Sequence, residues 1–253
     1  MTGDKPGKGL CTCSSSDRGV REANEDACGI FVIPHSIGPF TLLAVADGLG
    51  GHPAGEVASR VAVDALSSYI RIAIPGPDPV FPALESIMEG GFQAANRAVV
   101  AEADSGNGCR GMSTTLVAAL LDESGAGVVG NIGDSRAYLL GSTICRITRD
   151  HSSVQELVDR GILTVEEARH HPLRHIVTRV VGREPPDHPD IFPIRLDNHS
   201  ILLNSDGLTD GLEEQEILSL AGGIRVTAAC SMLVERAKKK SRDNITVVMA
   251  RRL

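Results

Sequence analysis

The sequence predicts an α+β fold in which two antiparallel β-sheets pack face to face with helices outside. Three observations carry this: two long stretches with apolar residues at helical spacing, eight short apolar runs bounded by turn residues, and connections between several runs too short for a crossover helix.

Strand signals come first, at 26–33 and 41–46. Ala54, Val57, Ala58, Val61, Ala62, Ala65, Leu66 and Tyr69 then recur at i, i+3, i+4 and define a core-facing helix. Leu84, Ile87, Met88, Gly91, Ala95, Ala98 and Val99 repeat the pattern. The run IPGPDPVFP between them breaks both, so the pair is expected to form an antiparallel hairpin. Further strands are expected at 114–121, 128–132, 137–140, 144–147, 201–203 and 245–250. Ser124-Gly125 and Leu140-Gly141-Ser142 are tight enough to make neighbouring strands antiparallel. Shorter helices are expected at 154–160, 165–169, 213–220 and 226–240, the last ending in three lysines that suit a helix C-terminus.

A chain of 253 residues with 42% hydrophobic content and no low-complexity seam reads as one domain, 1–253, with a flexible segment at 1–10. The apolar run at 42–46 is far too short to span a bilayer, and MTGDKPGKGL has no apolar signal core; a cytoplasmic protein without membrane contact is expected. Six cysteines lack paired CxxC spacing and are read as reduced thiols with no structural disulfide. Thirty-two acids against 25 bases give a net charge of −7, which argues against nucleic acid as a partner. Phosphoproteins remain open, since a local cation site held by some of those acids can receive a phosphate.

Three acids stand where apolar strands end or begin. LLAVADG puts Asp47 at a strand exit, ILLNSDG does the same for Asp206, and RDNITVVMA puts Asp243 just before a strand entry. Ends and starts of antiparallel neighbours meet on one sheet edge, so the three can converge. Any one of them alone reads more readily as a turn with a solvated carboxylate than as a ligand. Their neighbours separate the readings: Arg21, Glu25 and Asp26 crowd ahead of a strand, and a glycine follows both Asp47 and Asp206, leaving a carbonyl able to turn to a cation. Two hard divalent ions about 3.5–4 Å apart, bridged by a carboxylate and a water, would lower the pKa of that water and make a hydrolytic centre.

The ordered series SDRGVREANED at 16–26, AVADGLGGH at 44–52, GMSTTL at 111–116, NIGDSRAYLL at 131–140, TRDHS at 148–152, LTVEEARHHP with TRVVG at 163–182, NSDGLTD at 204–210 and RDNIT at 242–246 resembles the metal-dependent, type-2C protein serine/threonine phosphatases, in particular their bacterial branch. The resemblance implies a four-layer αββα fold and hydrolysis of phosphoserine and phosphothreonine on proteins by two Mn2+ or Mg2+ ions, without a phosphoenzyme. It implies Asp47 as bridging ligand with the Gly48 carbonyl on one metal, Asp206 and Asp243 on the other, Glu25 or Asp26 or both as further ligands, and Arg21 as the phosphate clamp, whose forked donors suit two phosphate oxygens. A third, weaker metal would sit on Asp134 and Asp210. The segment at about 151–182 would be a flap that influences substrate choice. The expected partners are phosphorylated substrates of a serine/threonine kinase, with the phosphatase itself a monomer. His170, His171 and His175 read as surface residues, because Pro172 would break the helix that an HxxxH pair needs.

One position departs from the pattern. Animal members carry a histidine after the Asp-Gly pair that is credited with protonating the leaving group, and here Leu49 stands there. His52 lies nearby but out of register and is expected to be dispensable; a loss of turnover above about a hundredfold in His52→Ala, at unchanged metal affinity, would contradict this. Two rivals remain. Cys230 to Arg236 matches the C-x5-R expression of cysteine phosphatases, but its intervening SMLVE reads as helix and cannot curl around a phosphate. A catalytically inactive phosphatase-like binding module is the second, and the presence of every matched acid weighs against it.

Overall fold

The computed structural model describes residues 9–49, 54–74, 83–105, 109–222 and 225–252. In chain order, β1 (Leu10–Asp17), β2 (Asp26–Ile33) and β3 (Phe40–Leu49) lead into helices α1 (Ala54–Ala73) and α2 (Leu84–Asp104). Strands β4 (Ser113–Thr114), β5 (Leu116–Leu121), β6 (Ala126–Ile132), β7 (Arg136–Leu140) and β8 (Ile144–Arg146) follow. The short helices α3 (Ser153–Asp159) and α4 (Val165–His170) precede β9 (Asp190–Arg195) and β10 (Ser200–Asn204). Helices α5 (Asp206–Gly211), α6 (Glu214–Ala221) and α7 (Val226–Ala237) and strand β11 (Ile245–Arg252) complete the series.

Two antiparallel sheets form, ordered β1-β11-β10-β7-β8 and β2-β3-β5-β6-β9, with β4 paired to β3. Three apolar layers explain why they stack. Leu43, Val45, Val117, Leu203 and Val248 point between the sheets. The alternate residues Leu42, Ala44, Leu116 and Leu120 face α1 and α2, where Leu66, Ile70, Met88 and Phe92 meet them. On the other side, Leu202, Val247 and Met249 face α5, α6 and α7 through Leu208, Ile217 and Leu233. Each of the Val, Leu, Ile, Met and Phe side chains among them contributes about 1.5–3 kcal/mol by leaving water. Period-2 strands with both faces buried thus build the four-layer αββα order expected from the sequence.

Five features differ from what the sequence predicts. Strand β1, LCTCSSSD, was not expected because its serines give no apolar alternation; it pairs with β11 along its whole length, Leu10 to Arg252 and Asp17 to Ile245. Strand β9 hides behind Pro193, which the outermost position in its sheet tolerates. Asp206-Gly207 opens the short helix α5 rather than a turn, and α7 stops at Ala237. The expectation of reduced cysteines is corrected: Cys13 and Cys230 form a disulfide across 217 residues, because β1 lies under α7 and turns Cys13 toward it. Cys11, Cys28 and Cys145 are free thiols. The connection between α1 and α2 at 75–82 and the residue His52 lie outside the described residues, as does most of the segment 1–10.

Candidate metal centre

The acids gather where the two sheets share one rim. Strands β2 and β3 pair in a register that sets Asp26 opposite Asp47, two carboxylates on neighbouring strands. Asp47 is fixed through its backbone: its N–H donates to Thr115 Oγ1 at 3.0 Å, and its carbonyl accepts from Thr114 Oγ1 at 2.8 Å and from Thr115 N–H at 2.9 Å. The Ser-Thr-Thr of one motif therefore sets the acid of another.

From the second sheet come Asp206, the first residue of α5 beyond β10, and Asp243, ahead of β11. Ser205 Oγ donates to Asp26 Oδ2 at 2.8 Å and receives Thr246 N–H at 3.0 Å, stitching the sheets together at the acids. Asn244 does the same for the loop carrying Arg21. Its Oδ1 accepts from Glu25 N–H at 2.8 Å, and its Nδ2 donates to Arg18 O at 3.0 Å and Ala23 O at 2.9 Å. Asn244 is a residue that the sequence reading quoted within RDNIT but gave no task. Arg21 Nη2 lies 2.7 Å from Asp243 Oδ2 and its Nε donates to Arg242 O, while 58% of the side chain stays exposed at the rim.

Glycine is required at Gly48 and Gly55. A Cβ on Gly48 would collide with Gly55 O and stand 2.7 Å from Glu25 O. A Cβ on Gly55 would collide with Glu25 Oε2 and stand 3.0 Å from Gly48 O. The Glu25 carboxylate and the Gly48 carbonyl therefore converge on a space that only missing side chains leave open.

Repulsion shows in the titration of these groups. Burial, then the charges of Asp26 and Asp206, hold Asp47 well above the usual carboxylate range. Asp206 is raised likewise by burial and then by Asp134 and Asp210. Burial pushes Asp26 up to about 6, against the hydrogen bonds of Thr246 and Ser205. Buried Asp26 Oδ1 and Asp206 Oδ1 find no hydrogen-bond partner. Stranded acceptors of like charge are costly unless a cation compensates them, and hard oxygen donors of this kind suit Mg2+ or Mn2+. The donor set fits the ions that the sequence pattern calls for.

A second group lies beside the first. Asp134, on the turn between β6 and β7, is pushed up to about 7 by burial and then by Asp150. Asp210, exposed on α5, faces the same place, and so does His175, whose Nδ1 is 4.0 Å from Asp206 Oδ2. Ligand atoms of His175, Asp206 and Asp210 lie within 4.8 Å of one another. His175 is on the surface as expected, yet it reaches the site, which spacing within its own segment could not reveal. His170 pairs with Glu166 away from the acids. A cleft of about 690 Å3 exposes Arg21, Glu25, Asp47, Gly48, Asp206 and Asp243, and a neighbouring one of about 800 Å3 continues past Asp134 and Asp210 between the 151–182 segment and α5. Cys230 is buried on α7 and bonded to Cys13, so the C-x5-R match has no phosphate loop.

An αββα sandwich with a carboxylate centre at the shared rim of its sheets defines a class of divalent-cation domain. A family model described as protein phosphatase 2C matches residues 15–243. The serine/threonine phosphatase stp of Listeria innocua is 36% identical over 94% of both chains. Among solved structures, the serine/threonine phosphatase Stp1 from Staphylococcus aureus superposes with a TM-score of 0.85 at 36% identity, over 99% of this chain and 98% of that one. The catalytic domain of the serine/threonine protein phosphatase PstP in complex with two manganese ions gives 0.81 at 34% identity, over 96% and 97%. The chain belongs to the protein phosphatase 2C family.

Proposed function

We propose that the chain hydrolyses phosphoserine and phosphothreonine on proteins with two bound Mn2+ or Mg2+ ions. The carrying observation is the convergence of carboxylates from both sheets on one cleft, with the buried oxygens of Asp26 and Asp206 left unpartnered. Family membership, the relatives' shared designation as serine/threonine phosphatases and the two manganese ions of PstP support it. Asp47, Gly48 O, Asp206 and Asp243 would hold the ions, with Glu25 and Asp26 completing the set. When bound, the ions supply Lewis acidity and lower the pKa of water for attack on phosphorus.

The chain's own groups do the rest. Arg21 is oriented by Asp243 and Arg242 O on one side of its guanidinium, which leaves Nη1 to meet a phosphate at the exposed rim. The hydrogen bond to Asp243, and then its charge, raise the Arg21 guanidinium further above its ordinary range. Leu49 offers no proton to the leaving seryl or threonyl oxygen. Asp134 and Asp210 would hold a third, weaker ion, and residues 151–182 form the flap beside it. We assign the whole chain to one catalytic unit, monomeric and cytoplasmic, acting on the substrates of a serine/threonine kinase, with no nucleic-acid or membrane partner. Among the described residues no helix is long and apolar enough to cross a membrane.

The test is Mn2+-stimulated hydrolysis of a phosphothreonine peptide by the wild type beside Asp206→Asn. Stimulation in the wild type and its loss in the variant is expected; equal rates would reject the reading in favour of an inactive binding module.

A further inference from the structure

Asp134 is carried by a turn whose shape is imposed from outside the cleft. Its neighbour Gly133 has φ +108°, and a Cβ there would stand 2.6 Å from the Thr115 side chain. On the far side the turn is gripped by His151, a buried residue of the Thr-Arg-Asp-His-Ser motif to which the chemistry above gives no task. His151 N–H donates to Gly133 O at 2.9 Å, and Gly133 N–H donates to His151 Nδ1 at 3.1 Å. A backbone N–H can only donate, so Nδ1 is the acceptor and the ring hydrogen sits on Nε2. Nε2 in turn lies 3.1 Å from Asp190 Oδ2.

The same residue closes the base of the flap. His151 O accepts from Thr178 N–H at 2.8 Å, and Ser153 N–H donates to Ile176 O at 2.9 Å, so the two ends of the 151–182 segment are zipped together. Arg179, from the returning end, donates to Asp190 Oδ1 at 2.9 Å and lies 3.3 Å from His151 Nε2. One imidazole thus touches the turn of Asp134 through Nδ1 and the flap's anchor through Nε2.

We propose that His151, in its Nε2–H tautomer, is the positioning residue for Asp134, holding Gly133 at both its N–H and its carbonyl and tying the third-ion carboxylate to the base of the flap. The inference rests on the reading of Asp134 as a ligand of the weaker ion. Side chains that orient ligands from behind typically change metal affinity by about 10–100-fold when altered, without touching the metal.

Two half-isosteres separate the two bonds of the ring. His151→Asn places a carbonyl oxygen where Nδ1 accepts and gives up Asp190. His151→Gln places an N–H where Nε2 donates and gives up Gly133. The experiment titrates Mn2+ into the metal-free full chain and follows the signal of free aqueous Mn2+ by electron paramagnetic resonance, with thermal unfolding as a check on folding. Asp134→Asn identifies the weak ion. The expectation is that His151→Gln weakens that ion about tenfold or more and leaves the tighter two unchanged, while His151→Asn stays within about threefold of wild type. Equal effects in both variants, or a weak site kept by the glutamine, overturn the inference while the Asp134 reading stands. Identical titrations of wild type and Asp134→Asn overturn that reading and the inference with it. Should the glutamine variant not fold, Asp190→Ala frees the outer edge of a native imidazole; a several-fold weaker third ion is then expected, and unchanged affinity overturns the proposal.

Discussion

The inner and outer acid groups of the cleft are built differently. Asp47, Asp26, Asp206 and Asp243 hang on strands or strand ends whose backbones are pinned by Thr114, Thr115, Ser205 and Asn244, and the layers behind them are fully buried. The outer group sets Asp134, on a turn, beside exposed Asp210 and His175 of the 151–182 segment, which line one cleft. Strong repulsion can be sustained only where the backbone cannot relax, so the inner group is a preformed cage. The outer one depends on a segment with few buried residues; neither α4 nor its flanks at 160–175 contributes to a core. The proposed two-ion centre with a weaker third site matches that contrast in support.

The largest test of the contrast is removal of an inner ligand. Asp47→Asn or Asp206→Asn should lower turnover on a phosphothreonine peptide about a thousandfold or more, with one tight Mn2+ lost by calorimetry. Arg21→Lys should cost about 10–100-fold in kcat/KM with metal binding intact, because an ammonium cannot present the fork. For Asp210→Asn on the outer side, about tenfold or less is expected at saturating metal, with a weaker third ion by the same titration. Equal penalties for Asp206 and Asp210 would erase the distinction between the groups.

A pH experiment sharpens it further. Burial, with neighbouring carboxylates adding to it, pushes Asp26 up to about 6 and Asp134 up to about 7 in the metal-free fold, from an ordinary 3.8. Between those values the folded protein holds more protons than the unfolded chain, so stability falls as pH rises from about 4 to about 7 and the full penalty is present above that. Metal-free protein should melt several degrees lower at pH 8 than at pH 5.5, and Mn2+ should remove the difference. A metal-free melting point that rises over this range would contradict the stranded-carboxylate picture. The smallest perturbation lies far from the acids: Cys13→Ser should cost about 2–4 kcal/mol in denaturant unfolding under oxidising conditions, with kcat unchanged. Indistinguishable stability of variant and wild type would show that the Cys13–Cys230 link constrains nothing.

Much of this was legible in residue order, and the remainder was not for definite reasons. The inner acids announce themselves because continuous apolar runs stop at or just before Asp47 and Asp206 and start after Asp243. Helices α1 and α2 were legible from spacing, since a face of small and apolar residues must be covered. Strand β1 escaped because its stability comes from pairing with β11, at the opposite end of the chain, and its serines carry no signal of that partner. The disulfide escaped with it. His175 and His151 are ordinary histidines until the fold sets one beside Asp206 and the other behind Gly133; no spacing rule connects positions that far apart.

The pairing of β1 with β11 also brings two stretches from far apart in the sequence into one ribbon. Asp17 and Ile245 lie at the catalytic end of that ribbon, whereas Leu10 and Arg252 pair at its other end, seven residues away and so about 23 Å along the strands. Leu10 and Arg252 therefore stand side by side, on the edge strand β1 and on its neighbour β11, remote from the cleft. A short linker from Arg252 to Leu10 would span only neighbouring strands, so a circular permutant opened in the exposed 160–165 stretch is expected to keep the acids of the cleft in register.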